Sequence, residues 1–123
     1  MDCILIVDNS KFMHNFMEKS LKSQCYEKII HAVDGKDALD ALMEHQVDLI
    51  ISELNMPKVD GLELLRALKN HSELNHIPFI ILTSDPGDQM TKDAMEAGAV
   101  DYIKKPFTPE EILLKIQSVI KQI

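Results

Sequence analysis

Five short apolar runs alternate along this chain with segments that have the periodicity of amphipathic helices. The runs fall at residues 3–7, 28–33, 49–52, 79–83 and 101–103. Several of them are nearly continuous in Ile, Leu and Val, which is typical of strands that are covered on both faces. The regular alternation of strand and helix therefore predicts an α/β fold built on a parallel sheet, with helices on both sides.

The helical segments are marked by capping residues as well as by their periodicity. Thr108-Pro109-Glu110-Glu111 is a capping box with proline at the first helical position, and apolar residues recur after it on one face. A helix that begins near Gln89 is expected to end at Gly98. N-caps of three further helices are predicted at Ser10, Asp34 and Asp60. Five strand–helix units result.

Some expectations concern the burial of single residues. Five apolar residues of the first helix are expected to face the core, namely Phe12, Met13, Phe16, Met17 and Leu21. Cys3 and Cys25 form neither a metal-ligand pair nor a disulfide framework, and we expect two small buried apolar residues, with an oxidised pair as the alternative. The histidines show no ligand spacing and are expected to be surface or internally hydrogen-bonded residues (His14, His31, His45, His71 and His76).

The length and charge of the chain limit what it does. Its 123 residues predict one domain, 1–123, with no room for a separate output domain, so that effector function would come from a partner or from a segment outside this sequence. A net charge of -7 with scattered basic residues argues against a nucleic-acid surface. No apolar stretch approaches the ~20 residues that span a bilayer, and no leader is evident at Met1, so we expect a cytosolic protein.

Four separated motifs fall at the carboxyl ends of the predicted strands. Ile4-Leu5-Ile6-Val7-Asp8 closes the first strand, Glu53 the third and Leu82-Thr83-Ser84 the fourth, and Lys105-Pro106-Phe107 follows the fifth. In this order and spacing, over essentially the whole chain, they resemble the receiver domain of two-component response regulators, the CheY-like family. The resemblance implies a doubly wound five-stranded parallel sheet of the (βα)5 flavodoxin-like or CheY-like type, with strand order 2-1-3-4-5.

The resemblance also implies a metal site at this edge of the sheet. Family members use carboxylates to hold a divalent cation, which neutralises a phosphoryl group as it moves from a partner phosphohistidine to a central aspartate. The positions that match the Mg²⁺ ligands are Asp8, Asn9, Glu53 and the backbone carbonyl of Asn55.

Further residues match the phosphotransfer and switch positions of the family. Glu53 occupies the acceptor position, Thr83 matches the hydroxyl donor to the phosphoryl group, and Lys105 matches the counter-charge. Thr83 and Tyr102 match the pair that switches conformation. A cis peptide bond between Lys105 and Pro106 is also implied.

Two of these residues depart from the family pattern. Glu53 replaces the acceptor aspartate and places its carboxylate about 1.5 Å further out. A misplacement of a reacting atom by about 1 Å can lower the reaction rate on the order of a hundredfold. Asn9 replaces the second acid, which leaves Asp8, Glu53 and Lys105 with a formal charge of about -1 rather than about -2. We therefore expect weak or absent phosphorylation, weakened Mg²⁺ binding, and a Glu53 that partly imitates the phosphorylated state near Lys105 and Thr83.

The resulting prediction is a signalling module, not an enzyme, that acts by protein–protein interaction. Its expected partners are a histidine kinase or phosphotransfer protein, if the site is competent, and a downstream effector, with no direct contact to nucleic acid or membrane. The effector is expected on the face formed by the fourth helix, fifth strand and fifth helix, at residues 89–97, 101–103 and 108–121. Both a natural pseudo-receiver and an ordinary receiver with engineered acceptor-site changes fit this sequence.

A different class of function remains as an alternative. The same architecture serves flavodoxin-like cofactor binders and small metal-dependent phosphatases. A flavin site would need a phosphate-cradling loop after Val7, and a phosphatase would need an aspartate nucleophile close behind the first strand. The segment Asp8-Asn9-Ser10-Lys11-Phe12 supplies no such loop, which favours the signalling prediction.

Overall fold

The computed structural model describes residues 2–120, in which five strands and five helices alternate along the chain. The strands are β1 (Cys3–Val7), β2 (Lys28–Ala32), β3 (Leu49–Glu53), β4 (Phe79–Thr83) and β5 (Asp101–Lys104). The helices are α1 (Lys11–Lys22), α2 (Gly35–Glu44), α3 (Gly61–Lys69), α4 (Gln89–Ala97) and α5 (Pro109–Val119). Each predicted element is present, although β2 ends one residue earlier than predicted and β3 and β5 each end one residue later. None of the described helices has the length and apolar composition needed to cross a membrane.

The five strands form one parallel sheet in the order β2-β1-β3-β4-β5, as the resemblance implied. Val7 at the end of β1 pairs with Ser52, and Glu53 at the end of β3 pairs with Leu82. Thr83 at the end of β4 pairs with Lys104. The carboxyl ends of four strands therefore meet at one edge of the sheet, and the strand order reverses between β1 and β3, which is where ligands bind in sheets of this type.

Helices cover both faces of the sheet and produce two apolar clusters. Because successive strand residues point to opposite faces, Leu5 belongs to one cluster and Ile4 to the other. The first cluster includes buried residues of α2, α3 and α4. The second includes buried residues of α1 and α5. This two-sided burial explains the continuous apolar composition of the strands.

The predicted helix caps are present. Asp60 and Glu63 form a capping box at the start of α3, and Thr108 and Glu111 form another at the start of α5. Ser10 and Asp34 each accept a hydrogen bond from the third residue beyond them. Helix α4 ends at Gly98, whose φ of 121° lies in the left-handed region that favours glycine.

Two burial expectations were wrong. Phe12 is 75 % exposed, because α1 reaches the core through residues further along the helix, while the ring of Phe12 lies in the first turn and stacks on Phe16. Cys25 is exposed in the connection after α1, where its φ is 69°. Cys3 is buried as expected, and burial raises the pKa of its thiol. Both cysteines are free, so the structure shows no oxidised pair between them.

Candidate functional site

Asp8 occupies the first position after β1, at the point where the strand order reverses. Its side chain is buried, and its Oδ1 accepts a hydrogen bond of 2.8 Å from the backbone N–H of Ser10. Its Oδ2 is also buried but has no hydrogen-bond partner among the described residues. A buried carboxylate oxygen without a donor is costly unless a charge compensates it, so this atom is the one most available to a cation.

Lys105 reaches this edge from the segment after β5 and neutralises part of the acidic charge. Its Nζ contacts Oε1 of Glu53. The same Nζ lies 3.6 Å from Oδ2 of Asp8, and this second contact is an ion pair without a hydrogen bond. Its backbone N–H donates to the carbonyl of Thr83 at 2.7 Å, and its peptide bond to Pro106 is cis, as the resemblance implied. Tertiary structure therefore brings together three residues that are 45 and 52 positions apart in sequence: Asp8, Glu53 and Lys105.

Both carboxylate oxygens of Glu53 have partners. In addition to the contact between Oε1 and Lys105, Oε2 accepts hydrogen bonds from the backbone N–H groups of Leu54 at 2.8 Å and Asn55 at 3.3 Å. The longer side chain of glutamate lets the carboxylate bend back onto the start of the loop after β3. Glu53 is thus held by its own backbone on one side and by Lys105 on the other.

The residues at the two switch positions, Thr83 and Tyr102, have partners other than Glu53. The described residues contain no hydrogen bond between Glu53 and Thr83; the Thr83 hydroxyl lies 3.2 Å from the hydroxyl of Thr91 in α4. Tyr102 is 37 % exposed on β5, and Nζ of Lys115 lies 5.6 Å from the centre of its ring. The carboxylate of Glu53 therefore engages Lys105 and makes no hydrogen bond to Thr83 or Tyr102 among the described residues.

The residues expected to hold Mg²⁺ fit that ion only in part. Asp8 supplies an oxygen without a hydrogen-bond donor, but the carboxylate of Glu53 is shared with Lys105, and Asn9 and Asn55 are exposed and uncharged. Within residues 2–120 there is no group of three or more His, Cys, Asp or Glu side chains that could hold a metal. The protein thus presents two carboxylates and one competing ammonium group where a hard dication would need mostly oxygen ligands.

The sequence pattern did not reveal how closely helix α3 approaches the site. Gly61 follows the Asp60 cap, and its N–H donates to the carbonyl of Leu54 at 2.9 Å. A Cβ atom at Gly61 would lie 2.3 Å from the carbonyl oxygen of Glu53, far inside contact distance. The glycine beside the predicted cap was the available signal, since only a residue without Cβ permits this approach.

A second feature beyond the sequence prediction is a pair of histidines next to Asp8. Nε2 of His14 in α1 donates to the carbonyl of Asp8 at 2.7 Å, and its Nδ1 lies 2.6 Å from Nδ1 of His31 in β2. Nε2 of His31 in turn contacts Glu18. The expectation of internally hydrogen-bonded histidines is met for these two, although their separation in sequence gave no sign that they meet each other.

Comparison with protein families matches residues 4–117 to the response regulator receiver domain. Chemotaxis protein CheY1 of Helicobacter pylori is 32% identical over 120 residues, which cover 95% of both chains. Response regulator ArlR of Staphylococcus aureus is 36% identical over 121 residues, which cover 97% of this chain and 52% of ArlR. The chain thus spans nearly the whole of one relative and about half of the other.

Solved structures agree with the sequence relatives. Chemotaxis response regulator CheY4 of Vibrio cholerae has a TM-score of 0.90 at 30% identity, covering 98% of this chain and 99% of CheY4. The receiver domain of a Pseudomonas aeruginosa sensor histidine kinase, solved with a magnesium ion in its active-site cleft, has a TM-score of 0.89 at 25% identity, with 98% of each chain covered. The chain belongs to the response regulator receiver domain family. It is a CheY-like receiver module of two-component signalling, a class of signalling modules rather than of conventional enzymes.

Proposed function

We propose that this receiver module acts by binding a partner protein and accepts a phosphoryl group weakly or not at all. The observation that carries the proposal is the engagement of both Glu53 oxygens, one by Lys105 and the other by the backbone N–H groups of Leu54 and Asn55. A carboxylate attacks phosphorus only from a free and aligned oxygen, and the additional methylene of glutamate displaces that oxygen from the position an aspartate would give it.

Weakened Mg²⁺ binding is part of the same proposal. Asn9 contributes no charge, and the formal charge of Asp8, Glu53 and Lys105 together is about -1. The buried Oδ2 of Asp8 is the best remaining ligand, but the ammonium group of Lys105 lies 3.6 Å from it and competes with a cation for the same oxygen. When bound, Mg²⁺ would neutralise charge on a phosphoryl group; this chain offers it fewer anionic ligands than a site with an aspartate at position 9.

The proposed partners follow from the family and from the surface formed by α4, β5 and α5. A histidine kinase or phosphotransfer protein would act on the site to the extent that position 53 accepts a phosphoryl group. A downstream effector would bind the face that carries Tyr102, where Lys115 of α5 binds Asp101 of β5 at 2.9 Å and joins the two elements. Residue 121 of the predicted face lies outside the described residues. The single domain, the cytosolic location and the absence of nucleic-acid or membrane partners belong to the same proposal.

The test is intact-mass analysis after incubation with a small phosphodonor and Mg²⁺. We expect no appreciable gain of one phosphoryl group, with labelling at least about a hundredfold slower than in a site with the family's residues, because the acceptor oxygen is displaced and engaged. Stoichiometric labelling of the wild type that disappears in Glu53→Gln would show that position 53 is a competent acceptor.

The matched comparison is the double variant Asn9→Asp with Glu53→Asp. It should recover Mg²⁺ binding and labelling together, and each single variant should recover less, because one restores the ligand charge and the other the position of the acceptor oxygen. Full recovery is also what an ordinary receiver with altered acceptor-site residues would show. A folded double variant that stays unlabelled would mean that the loops at this edge differ from the family geometry.

A further inference from the structure

The hydroxyl groups of Thr83 and Thr91 form a buried link between the site and helix α4. Thr83 ends β4 and is 5% exposed, and Thr91 lies in the first turn of α4 and is 1% exposed. Their Oγ1 atoms are 3.2 Å apart. Because both groups are nearly inaccessible to water, each has to find its hydrogen-bond partners inside the protein.

The direction of this hydrogen bond follows from the number of protons available. Each threonine hydroxyl has one proton to donate and can also accept. The hydroxyl of Thr91 donates to the carbonyl of Asp85 at 3.2 Å, and a carbonyl can only accept. Since the proton of Thr91 is used there, the proton in the bond between the two hydroxyls comes from Thr83.

The cap of α4 holds Thr91 in place. The carboxylate of Asp88 accepts a hydrogen bond of 2.8 Å from the backbone N–H of Thr91. The bond from this backbone N–H is the main cause that lowers the pKa of Asp88. The cap therefore fixes the backbone of Thr91 and with it the position of its hydroxyl beside Thr83.

The Thr83 hydroxyl also accepts a hydrogen bond, and the donor of that bond is not at position 53. Its Oγ1 accepts a hydrogen bond of 3.1 Å from the backbone N–H of Asp85, in the turn that leads to α4. The partners of the Glu53 carboxylate, in contrast, are Lys105 and the backbone N–H groups of Leu54 and Asn55. Thr83 is therefore committed to α4 and its preceding turn.

We propose that Thr91 is a positioning residue that holds the Thr83 hydroxyl in a state facing α4, so that α4 and position 53 compete for the single proton of Thr83. The proposal rests on the proposed function in that it takes position 53 as the acceptor position that Thr83 would serve. Before Thr83 donates to any group at position 53, its bond to Thr91 has to break. Helix α4 thus opposes the active arrangement of the switch pair, and loss of this bond shifts the equilibrium toward that arrangement.

The test is the rotamer distribution of Thr83, measured by NMR from three-bond couplings to its methyl carbon. Thr91→Val keeps the shape and β-branching of the side chain but removes the hydroxyl. We expect the population of Thr83 rotamers that do not face α4 to rise about fivefold relative to the wild type, since one net hydrogen bond of typical strength is lost. Thr91→Ser retains a hydroxyl and should restore the distribution of the wild type.

Two further variants control for misfolding and for the loss of a buried hydroxyl elsewhere in the protein. Thr91→Ala, which also lacks the hydroxyl, replaces Thr91→Val if the valine variant does not fold. Ser20→Ala removes a buried hydroxyl of α1 that donates to the carbonyl of Phe16, and should leave Thr83 unchanged. An unchanged distribution in a folded Thr91→Val or Thr91→Ala variant, or the same change in Thr91→Ser, would overturn the proposal. The couplings are measured without phosphodonor, so their outcome is independent of whether position 53 accepts a phosphoryl group.

Discussion

Gly61 determines how closely the chain after β3 can pack against the residue at the acceptor position. A Cβ atom there would lie 2.3 Å from the carbonyl oxygen of Glu53 and 2.8 Å from Cα of Leu54. These are backbone atoms that cannot rotate away, and the N–H of Gly61 is itself bonded to the carbonyl of Leu54. Any side chain at position 61 therefore has to displace the backbone that carries Glu53.

Gly61→Ala should lower the free energy of unfolding by about 1–3 kcal/mol, the usual cost of overpacking a tight contact. Gly87→Ala is the matched control, because a Cβ atom at Gly87 would meet its nearest neighbour at an ordinary 3.6 Å. The control should change stability by less than about 1 kcal/mol, in either direction. Urea unfolding of both variants provides the measurement, and equal stabilities would mean that the approach of α3 to Glu53 is not a tight contact.

Among the helices and strands, helix α1 contacts strand β2 through the side chain of Glu18. Its carboxylate contacts Nε2 of His31 and lies 3.0 Å from Nζ of Lys22 one turn later in the same helix. Burial disfavours the charged form, but the hydrogen bonds and charges of His31 and Lys22 outweigh it and lower the pKa of Glu18 below its ordinary value. Because the folded protein binds this proton less readily than the unfolded chain does, the ionised carboxylate stabilises the fold.

The resulting pH dependence has a definite sign. The stabilisation by Glu18 is present above its ordinary pKa and is lost as the pH falls through the lowered pKa of the folded state. When the pH is lowered from about 6.5 to about 3.5, Glu18→Gln should therefore lose less unfolding free energy than the wild type loses. The difference should stay below about 1 kcal/mol, because Glu18 and His31 are each one-third exposed.

Urea unfolding at the two pH values measures this difference. Glu44→Gln is a suitable control, since Glu44 is exposed and forms no ion pair in the part of the chain that the structure describes. Identical pH dependence in Glu18→Gln and in the wild type would mean that the contact between α1 and β2 contributes nothing through its charge.

On the scale of the whole molecule, the sheet separates two ends with different properties. The carboxyl ends of the strands carry the site, where Lys105 joins Glu53 to β5 and its backbone N–H binds the carbonyl of Thr83. An open cleft of about 580 Å³ lies at the other end, between the connections that follow α2 and α3, with Glu73 in its lining. One substitution at each end therefore tests whether a change at the site also alters the proposed effector face, which is formed by α4, β5 and α5.

Glu53→Gln should change backbone amide NMR shifts beyond its own loop, because it removes the charge that holds Lys105. We expect changes in β5, including Tyr102, and at Thr83, since Lys105 follows β5 directly and bonds to Thr83. Glu73→Gln, at the cleft, should leave these signals unchanged. Shift changes that stop at residues 53–55 and 105 would contradict a connection between the site and the surface formed by α4, β5 and α5.

The amino-acid sequence is enough to predict the order and kind of the elements, because apolar runs and caps such as Asp60 and Thr108 act over a few residues. It also placed Asp8, Glu53, Thr83 and Lys105 at one edge, since parallel strands bring their carboxyl ends together. The strand order came from the family resemblance rather than from periodicity.

The partner that each side chain takes at that edge depends on tertiary contacts. The Thr83 hydroxyl bonds to Thr91 rather than to Glu53, and His14 meets His31 across 17 positions of sequence. Phe12 remains in solvent although its helical periodicity predicted burial. These outcomes depend on distances of a few ångströms between distant segments and on the count of available donors and acceptors, which no local pattern in the chain records.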